Sequence, residues 1–476
     1  MILIKNGWII TCDDMDTEIK VGNIIIEGNI IKEITDSEIE DGDKFDRTID
    51  AGGKIVIPGL INGHMHSYSS FVKGLHENVP LELWMLYIMT QGTCMEPEDV
   101  YYNALLCSIE MLKSGVTSSI DHLAQGYDGL EAAMKAYEDI GMRVSIAPMI
   151  TDKLYYQTIP VHEQDIPDDI KIGQPANSQD LLDTTIKLFK NWNGKHERLK
   201  VMFGPSGPQR CSDDLLKKCS DLAEEFDTGV HTHLLESKFQ AKAAEKIYGN
   251  QMVVHLNEIG FLNERTSLAH SVWLNELEAN IVAACGSVIV HNPWSNLLLG
   301  SGIANVNLFR KLGIKVAIGT DGANCGINLN MFESMKLAAT LHKVTEDKYT
   351  NWITAKEVLH MATNNSARAA LSYTEVGSLE EGKKADITIL DPKRSTALVP
   401  LNDPVYQLVY GENGSGVDTV MVNGKILLEN GKVLAIDEAK VNAEAAKRAK
   451  RIAEKAALQK EKNDKLVSVL NNLMYK

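Results

Sequence analysis

The rhythm of apolar and polar positions changes twice along this chain. The first fifty residues carry short apolar runs, "MILIKNGWIIT", "GNIIIEGNIIKEI" and "TIDAGGKIVIPG", separated by Gly and Asn. That is the pattern of short strands joined by tight turns. A matching block lies near the other end, in "GSLEEGKKADITILDP" and "VDTVMVNGKILLENGK". Neither block is large enough for a core of its own, so the two are predicted to pack together as one small β-domain. Between them, eight apolar runs end in polar residues. They are Val56 to His66, Val116 to His122, Arg143 to Met149, Leu199 to Pro205, Val230 to Glu236, Ser267 to Val272, Ser287 to Pro293 and Ile314 to Gly322. These runs are apolar without alternation, as strands buried on both faces are. Helical stretches such as "EDVYYNALLCSIEMLKSG", "GLEAAMKAYEDIG" and "SDDLLKKCSDLAEEFDTG" separate them. Each stops at a glycine, and Ser212 stands where an N-cap belongs.

Eight such alternations over about 310 residues predict an α/β fold, a (β/α)8 TIM barrel. The composite β-domain, a small β-sandwich, is built from both chain ends. The expected boundaries are 1–57 for its first part, 58–372 for the barrel, 373–435 for its second part and 436–476 for a C-terminal charged helix. That last segment, "EAKVNAEAAKRAKRIAEKAALQKEKNDKLVSVLNNLMYK", is rich in Ala, Lys and Glu, and is expected to pack on the body by one stripe.

Composition narrows the function. With 48 Lys and Arg against 64 Asp and Glu, the net charge is −16, which argues against a general nucleic-acid binder. The seven cysteines are scattered and form no CxxC, which reads as reduced thiols in a cytoplasmic enzyme. Neither a signal peptide nor a membrane-spanning helix is read from the sequence.

The chemistry gathers at the ends of the predicted strands. In "IVIPGLINGHMHSYSS", His64 and His66 lie two apart on an extended chain, so both imidazoles aim at one spot. A lone HxH is more often a pair of satisfied polar residues. Here the fifth run adds His231, His233 and Glu236, the sixth His270, the seventh His291 and the eighth Asp321. All would collect at the C-terminal mouth of a barrel. Buried imidazoles and carboxylates at one place are costly unless they are paired or bound to metal. Three imidazoles and a carboxylate suit one divalent ion per chain, Zn²⁺ first, with Fe²⁺ or Mn²⁺ as rivals. The expected ligands are His64, His66, His233 and Asp321. His231 lies one layer deeper and reads as structural. His122 reads either as a substrate contact or as a hydrogen-bonded rim residue.

The pieces "PGLINGHMH", "HTHLLE", "LAHSVWL", "VIVHNPWSNLLLGSGIA", "GTDGANCGINLNMFESMK" and "GSLEEGKKADITIL" together resemble the amidohydrolase superfamily. The similarity is to its aminohydrolase and chlorohydrolase branch, which holds guanine deaminase, the S-adenosylhomocysteine/methylthioadenosine deaminases and the triazine hydrolases. The resemblance implies a mononuclear metal site on His64, His66, His233 and Asp321. It implies that Glu236 is the proton shuttle and that His270 contacts the attacking water or the substrate. The implied activity is hydrolysis of a carbon–nitrogen bond in a cyclic amidine, with water and a small heterocycle as reactants. Lys200 sits at the entering end of the fourth run, which disfavours a two-metal site.

The expected reaction is therefore hydrolytic deamination of an amino-substituted nitrogen heterocycle. Three alternatives stay open: dechlorination or N-dealkylation of triazine-like rings, deamination of S-adenosylhomocysteine/methylthioadenosine-type nucleosides, and a non-catalytic scaffold. The nucleoside deaminases carry a histidine in the strand-four loop where this chain has Ser206 and Gly207 in "GPSGPQRCS", so a free base is expected over a nucleoside. Trp84 and Trp294 are candidates for stacking on a flat ring. Gln209 and Arg210 are candidates for reading ring carbonyls or an anionic group, and His291 for a further substrate contact. A homodimer or higher homo-oligomer is expected, with neither nucleic acid nor membrane as a partner.

Overall fold

The computed structural model of the chain describes residues 1–39, 44–167, 176–326 and 328–475. Its first strands are Ile2–Ile10 (β1), Glu18–Glu27 (β2), Ile30–Thr35 (β3), Arg47–Asp50 (β4) and Ile55–Pro58 (β5). The middle of the chain supplies Leu60–Met65 (β6), Val116–Leu123 (β7), Arg143–Ile150 (β8), Leu199–Val201 (β9), Gly204–Pro205 (β10), Val230–Leu234 (β11), Thr266–His270 (β12), Val288–His291 (β13) and Val316–Ile318 (β14). The last strands are Ile387–Leu390 (β15), Val417–Val422 (β16), Lys425–Glu429 (β17) and Lys432–Val433 (β18).

Strands from the two chain ends share one nine-stranded sheet, in the order β18-β17-β16-β15-β5-β1-β2-β3, with β4 on β1. The first half of β1 pairs with β4, Ile2 with Arg47 through Lys5 with Asp50. Its second half pairs with β5. On its other side β5 runs antiparallel to β15, from Ile55 opposite Leu390 to Pro58 opposite Ile387. Ile4, Ile24, Ile26 and Val56 from one end form a single apolar cluster with Ile387, Ile389 and Met421 from the other. A chain beginning at Ile57 loses β1–β4 and leaves that cluster and the edge of β15 uncovered. It is expected to be insoluble. A soluble, cooperatively melting product would overturn this.

The middle strands form two parallel sheets, β10-β8-β7-β6 with β9 on β8, and β11-β12-β13-β14. At one seam Phe203 N–H donates to Gly229 O and His231 N–H to Phe203 O, both at 2.9 Å; at the other Asp321 N–H donates to His64 O at 2.9 Å. The predicted run from Val56 to His66 is broken at Gly59, with β5 in the nine-stranded sheet and β6 in the parallel one. Pro58 has no N–H to continue a ladder. At Gly59 a Cβ would fall 2.1 Å from the Thr117 side chain, so only glycine fits.

Helices follow the predicted stretches, at Pro97–Lys113, Tyr127–Ile140 and Asp213–Glu225. Ser212 caps the last of these by accepting from Leu215 N–H. That helix does not run to Gly229; Asp227, at φ 50°, supplies the left-handed turn instead. The predicted C-terminal helix is two helices, Glu438–Ala457 and Lys460–Met474, and Lys476 lies outside the described residues. The first is pinned by Arg448 and Arg451 to the buried Asp99. The second turns back and buries Leu466 and Leu470 against Leu83 and Leu86 of the helix Leu81–Thr93. The first packs Ala445 and Ile452 with Phe71 and Val72, a separate cluster. All seven cysteines are free thiols. No described helix is long and apolar enough to cross a membrane.

Candidate metal centre and substrate cleft

Strand alternation decides which side chains reach the mouth. Val288 and Val290 of β13 belong to the inner cluster with Ile120, Ala147, Met202 and Ala317. His291 therefore faces outward, where its Nε2 lies 3.1 Å from Nε2 of the buried His342. Alternation would send His270 outward too, because Leu268 of β12 packs with the outer core. The backbone prevents this: His270 has φ 73° and Ser271 φ 53°. A left-handed non-glycine residue is uncommon and often marks a functional site. The turn brings His270 Nε2 to 3.5 Å from Glu236 Oε2 and 3.7 Å from Asp321 Oδ2. Asp321 is also left-handed, at φ 61°.

Four groups converge beneath them. His66 Nε2 lies 3.3 Å from His233 Nε2 and 3.3 Å from Asp321 Oδ1, and His64 Nε2 lies 3.6 Å from the same oxygen. The other ring nitrogens are all engaged. His66 Nδ1 meets His122 O at 2.5 Å and His233 Nδ1 meets Ser206 O at 2.5 Å. A carbonyl only accepts, so both Nδ1 atoms donate, and in the neutral rings both Nε2 atoms carry lone pairs. Two lone pairs facing each other at 3.3 Å repel, and a cation between them removes that cost. His64 Nε2 is buried without a hydrogen-bond partner. The donor set, its orphaned nitrogen and the adjacent carboxylate fit one divalent cation. Lys200 is engaged elsewhere, with its Nζ 3.2 Å from Glu375.

His231 supports His64. His64 Nδ1 is 2.7 Å from His231 Nε2, and His231 Nδ1 is 2.7 Å from Ser267 Oγ. Ser267 Oγ in turn donates to Val230 O. This relay fixes both tautomers and keeps the His64 Nε2 lone pair facing inward. Ser267→Ala is expected to lower metal affinity by about tenfold or more, since outer partners of this kind contribute 10–100-fold. Competition with a chromophoric chelator measures it; unchanged affinity would remove the relay's role. His122 is buried, with Nε2 3.2 Å from Gly204 O.

Electrostatics separate the groups into roles. Burial lowers the pKa of His64 to about 4 and holds His233 well below the usual value, so both are neutral ligand candidates. His66 differs: burial opposes its charge, but Asp321 more than offsets this and raises it. Burial also acts to raise Asp321, yet the adjacent His64 and His66 imidazoles hold its carboxyl well below the ordinary range. Glu236 moves the other way. Burial first, then the charges of Asp321 and Glu82, push it well above the usual carboxyl value.

A cleft enclosing about 750 Å³, open solvent included, rises above these groups. His66, His233, Glu236 and Asp321 form its floor, and Trp84, Gln209 and Arg210 line its walls. His291 and Trp294 do not line it. For His291 the reason is the outward register of β13. The sequence reading missed Tyr68, Tyr155 and Phe239, which supply aromatic wall, and Glu82, a buried carboxyl. Ser237 Oγ and Tyr475 OH both donate to Glu82. Contacts between residues 393 apart leave no local pattern in a sequence. Cys325 also lines the cleft, but burial keeps its thiol protonated, so it is not a nucleophile.

Residues 55–427 match the Amidohydrolase family. Over 453 residues the chain is 37% identical to the 5-methylthioadenosine/S-adenosylhomocysteine deaminase of Caldanaerobacter subterraneus subsp. tengcongensis, covering 95% of this chain and 98% of that protein. It is 35% identical to the 5'-deoxyadenosine deaminase of Methanosarcina mazei, over the same shares. Among solved structures, a mutant atrazine chlorohydrolase of Arthrobacter aurescens complexed with zinc and atraton is 26% identical. It superposes with a TM-score of 0.86, covering 94% of this chain and all of the other.

Proposed function

The chain belongs to the amidohydrolase family, and from that premise we propose that it is a metal-dependent hydrolytic deaminase. It replaces an amino group on a nitrogen heterocycle with oxygen from water and releases ammonia. The observation that carries this is the convergence of His64, His66, His233 and Asp321 beside Glu236 and His270. Bound by those four groups, a divalent cation, zinc in our reading, supplies a Lewis acid that lowers the pKa of water to roughly 7.

The remaining steps belong to side chains. Glu236 takes a proton from the attacking water and delivers it to the ring nitrogen beside the reacting carbon. The second proton of the water then passes by the same carboxyl to the departing amine. A raised pKa suits a group that must both take and give protons. Asn296 Oδ1 lies 2.9 Å from His270 Nδ1, which fixes that ring and leaves its Nε2 free to orient the water. Trp84 and Tyr155 flank the space for a flat ring.

We read the two parallel sheets as one closed (β/α)8 barrel, residues 58–372, and the nine-stranded sheet as the β-sandwich of residues 1–57 and 373–435. The seven free cysteines support a cytoplasmic setting. For the ring itself, both relatives are named for adenosine-type nucleosides, which favours a ribosylated aminopurine over the free base expected from the strand-four loop. That loop's Ser206 is the observation that keeps the free-base reading as the second. Ammonia release by the zinc-loaded protein, measured as kcat/KM on adenosine-type nucleosides and on matched free bases, decides between them. Release from neither class, with one cation bound per chain, would sink the deaminase reading.

A further inference from the structure

Arg210 is an anomaly in the cleft wall. Its Nε is sealed from solvent and has no hydrogen-bond partner. Nη1 donates to Ser206 Oγ at 3.2 Å, and Nη2 reaches only Met89 Sδ at 4.0 Å. The guanidinium carbon lies 5.8 Å from the Tyr155 ring centre. Among the described residues no carboxylate pairs with it, although three line the same cleft. Each of the three faces other groups: Asp321 lies beside His64 and His66, Glu236 lies beside His270 and accepts from Ser301, and Glu82 accepts from Ser237 and Tyr475. The neighbouring Gln209 is also buried, with its Oε1 unpartnered.

A half-buried guanidinium with a sealed, unpartnered Nε and no counter-charge is unfavourable. Among the described residues it meets only Ser206, Met89 and the Tyr155 ring, and it stands in the cleft wall. Resting on the deaminase reading above, we propose that Arg210 is a specificity residue that receives an anionic substituent of the substrate, a carboxylate or a phosphate. Its planar fork suits either group in a two-pronged contact. The anion lies close to the reacting ring, because Ser206 joins Arg210 to the ligand side: its Oγ accepts from Arg210 and its carbonyl holds His233. The substrate class is thus an amino-substituted heterocycle with an acidic group attached. Gln209, on the same short turn, stands beside that group.

Binding without turnover tests this independently of deamination. Calorimetric titrations on the zinc-loaded protein compare uracil with orotate, a ring carboxylate, and inosine with inosine monophosphate. None of these carries an amino group to release. The expected result is that at least one acidic member binds ten times tighter or more than its neutral partner. Which pair shows it distinguishes carboxylate from phosphate. In Arg210→Met, with equal zinc content, the preference should vanish, and Arg210→Lys should retain part of it. Equal binding of both members of both pairs by the unaltered protein overturns the proposal. So does a preference that persists in Arg210→Met, which would place the anion on the cation. Both outcomes leave the deaminase reading standing, because ammonia release is measured separately.

Discussion

Glu236→Gln is expected to lose turnover by about a hundredfold or more while keeping its metal and its melting temperature. Glutamine fills the same space and still accepts from Ser301. It cannot, however, take a proton from water or pass one to a ring nitrogen. Glu236 sits outside the ligand cluster, 3.5 Å from His270, so the cation should be retained at one per chain. The substitution also removes a buried group whose ionisation is penalised by burial and by Asp321, so stability should not fall. Kinetics on a confirmed substrate, elemental analysis and a thermal melt read the three parts separately. A variant with near-normal kcat would rule out Glu236 as the proton carrier.

Asp321→Asn should do more damage, and through a different route. Asp321 is the only carboxylate among the four converging groups, and the adjacent His64 and His66 imidazoles outweigh its burial to keep its pKa low. An amide brings no negative charge to set against the cation's. The cation should fall well below one equivalent after dialysis. With it goes the lowering of the water's pKa to roughly 7, so kcat/KM should drop by about a thousandfold or more. Full metal content and activity within tenfold of the unaltered protein would remove Asp321 from the ligand set.

His64, His66 and His233 were legible because a strand has a period of two and HxH keeps both rings on one face. His270 and His291 show where that logic ends. Both close a strand at the same rim, and alternation points both outward. One φ of 73° turns His270 over the cation site, while His291 has no such turn and meets His342. Nothing local in "LAHSV" or "VIVHN" announces the difference, since the turn depends on how neighbouring strands end. The eight strand positions were readable from apolar runs and helix stops. The split at Gly59 was not, because it depends on Thr117 from a distant segment. The C-terminal helix read as one piece because its composition is uniform. Its second half turns to reach a surface made by residues 83 and 86, and a contact of that span leaves no periodic trace.

The pairing of β5 with β15 also sets a timetable. β6, with His64 and His66, grows directly out of β5, whose antiparallel partner begins at Ile387. At about 5–20 residues per second, the ribosome needs some tens of seconds to make the roughly 330 residues between them. During that interval β5 can hold to β1, but its other edge is open. Asp321 follows His66 by 255 residues, so the last group needed to hold the cation appears only after two-thirds of the chain has been made. Cation capture therefore waits for the strand that carries Asp321. A chain stalled before residue 387 presents an unsatisfied β edge to its neighbours, and crowding on one messenger RNA is where such edges would first meet.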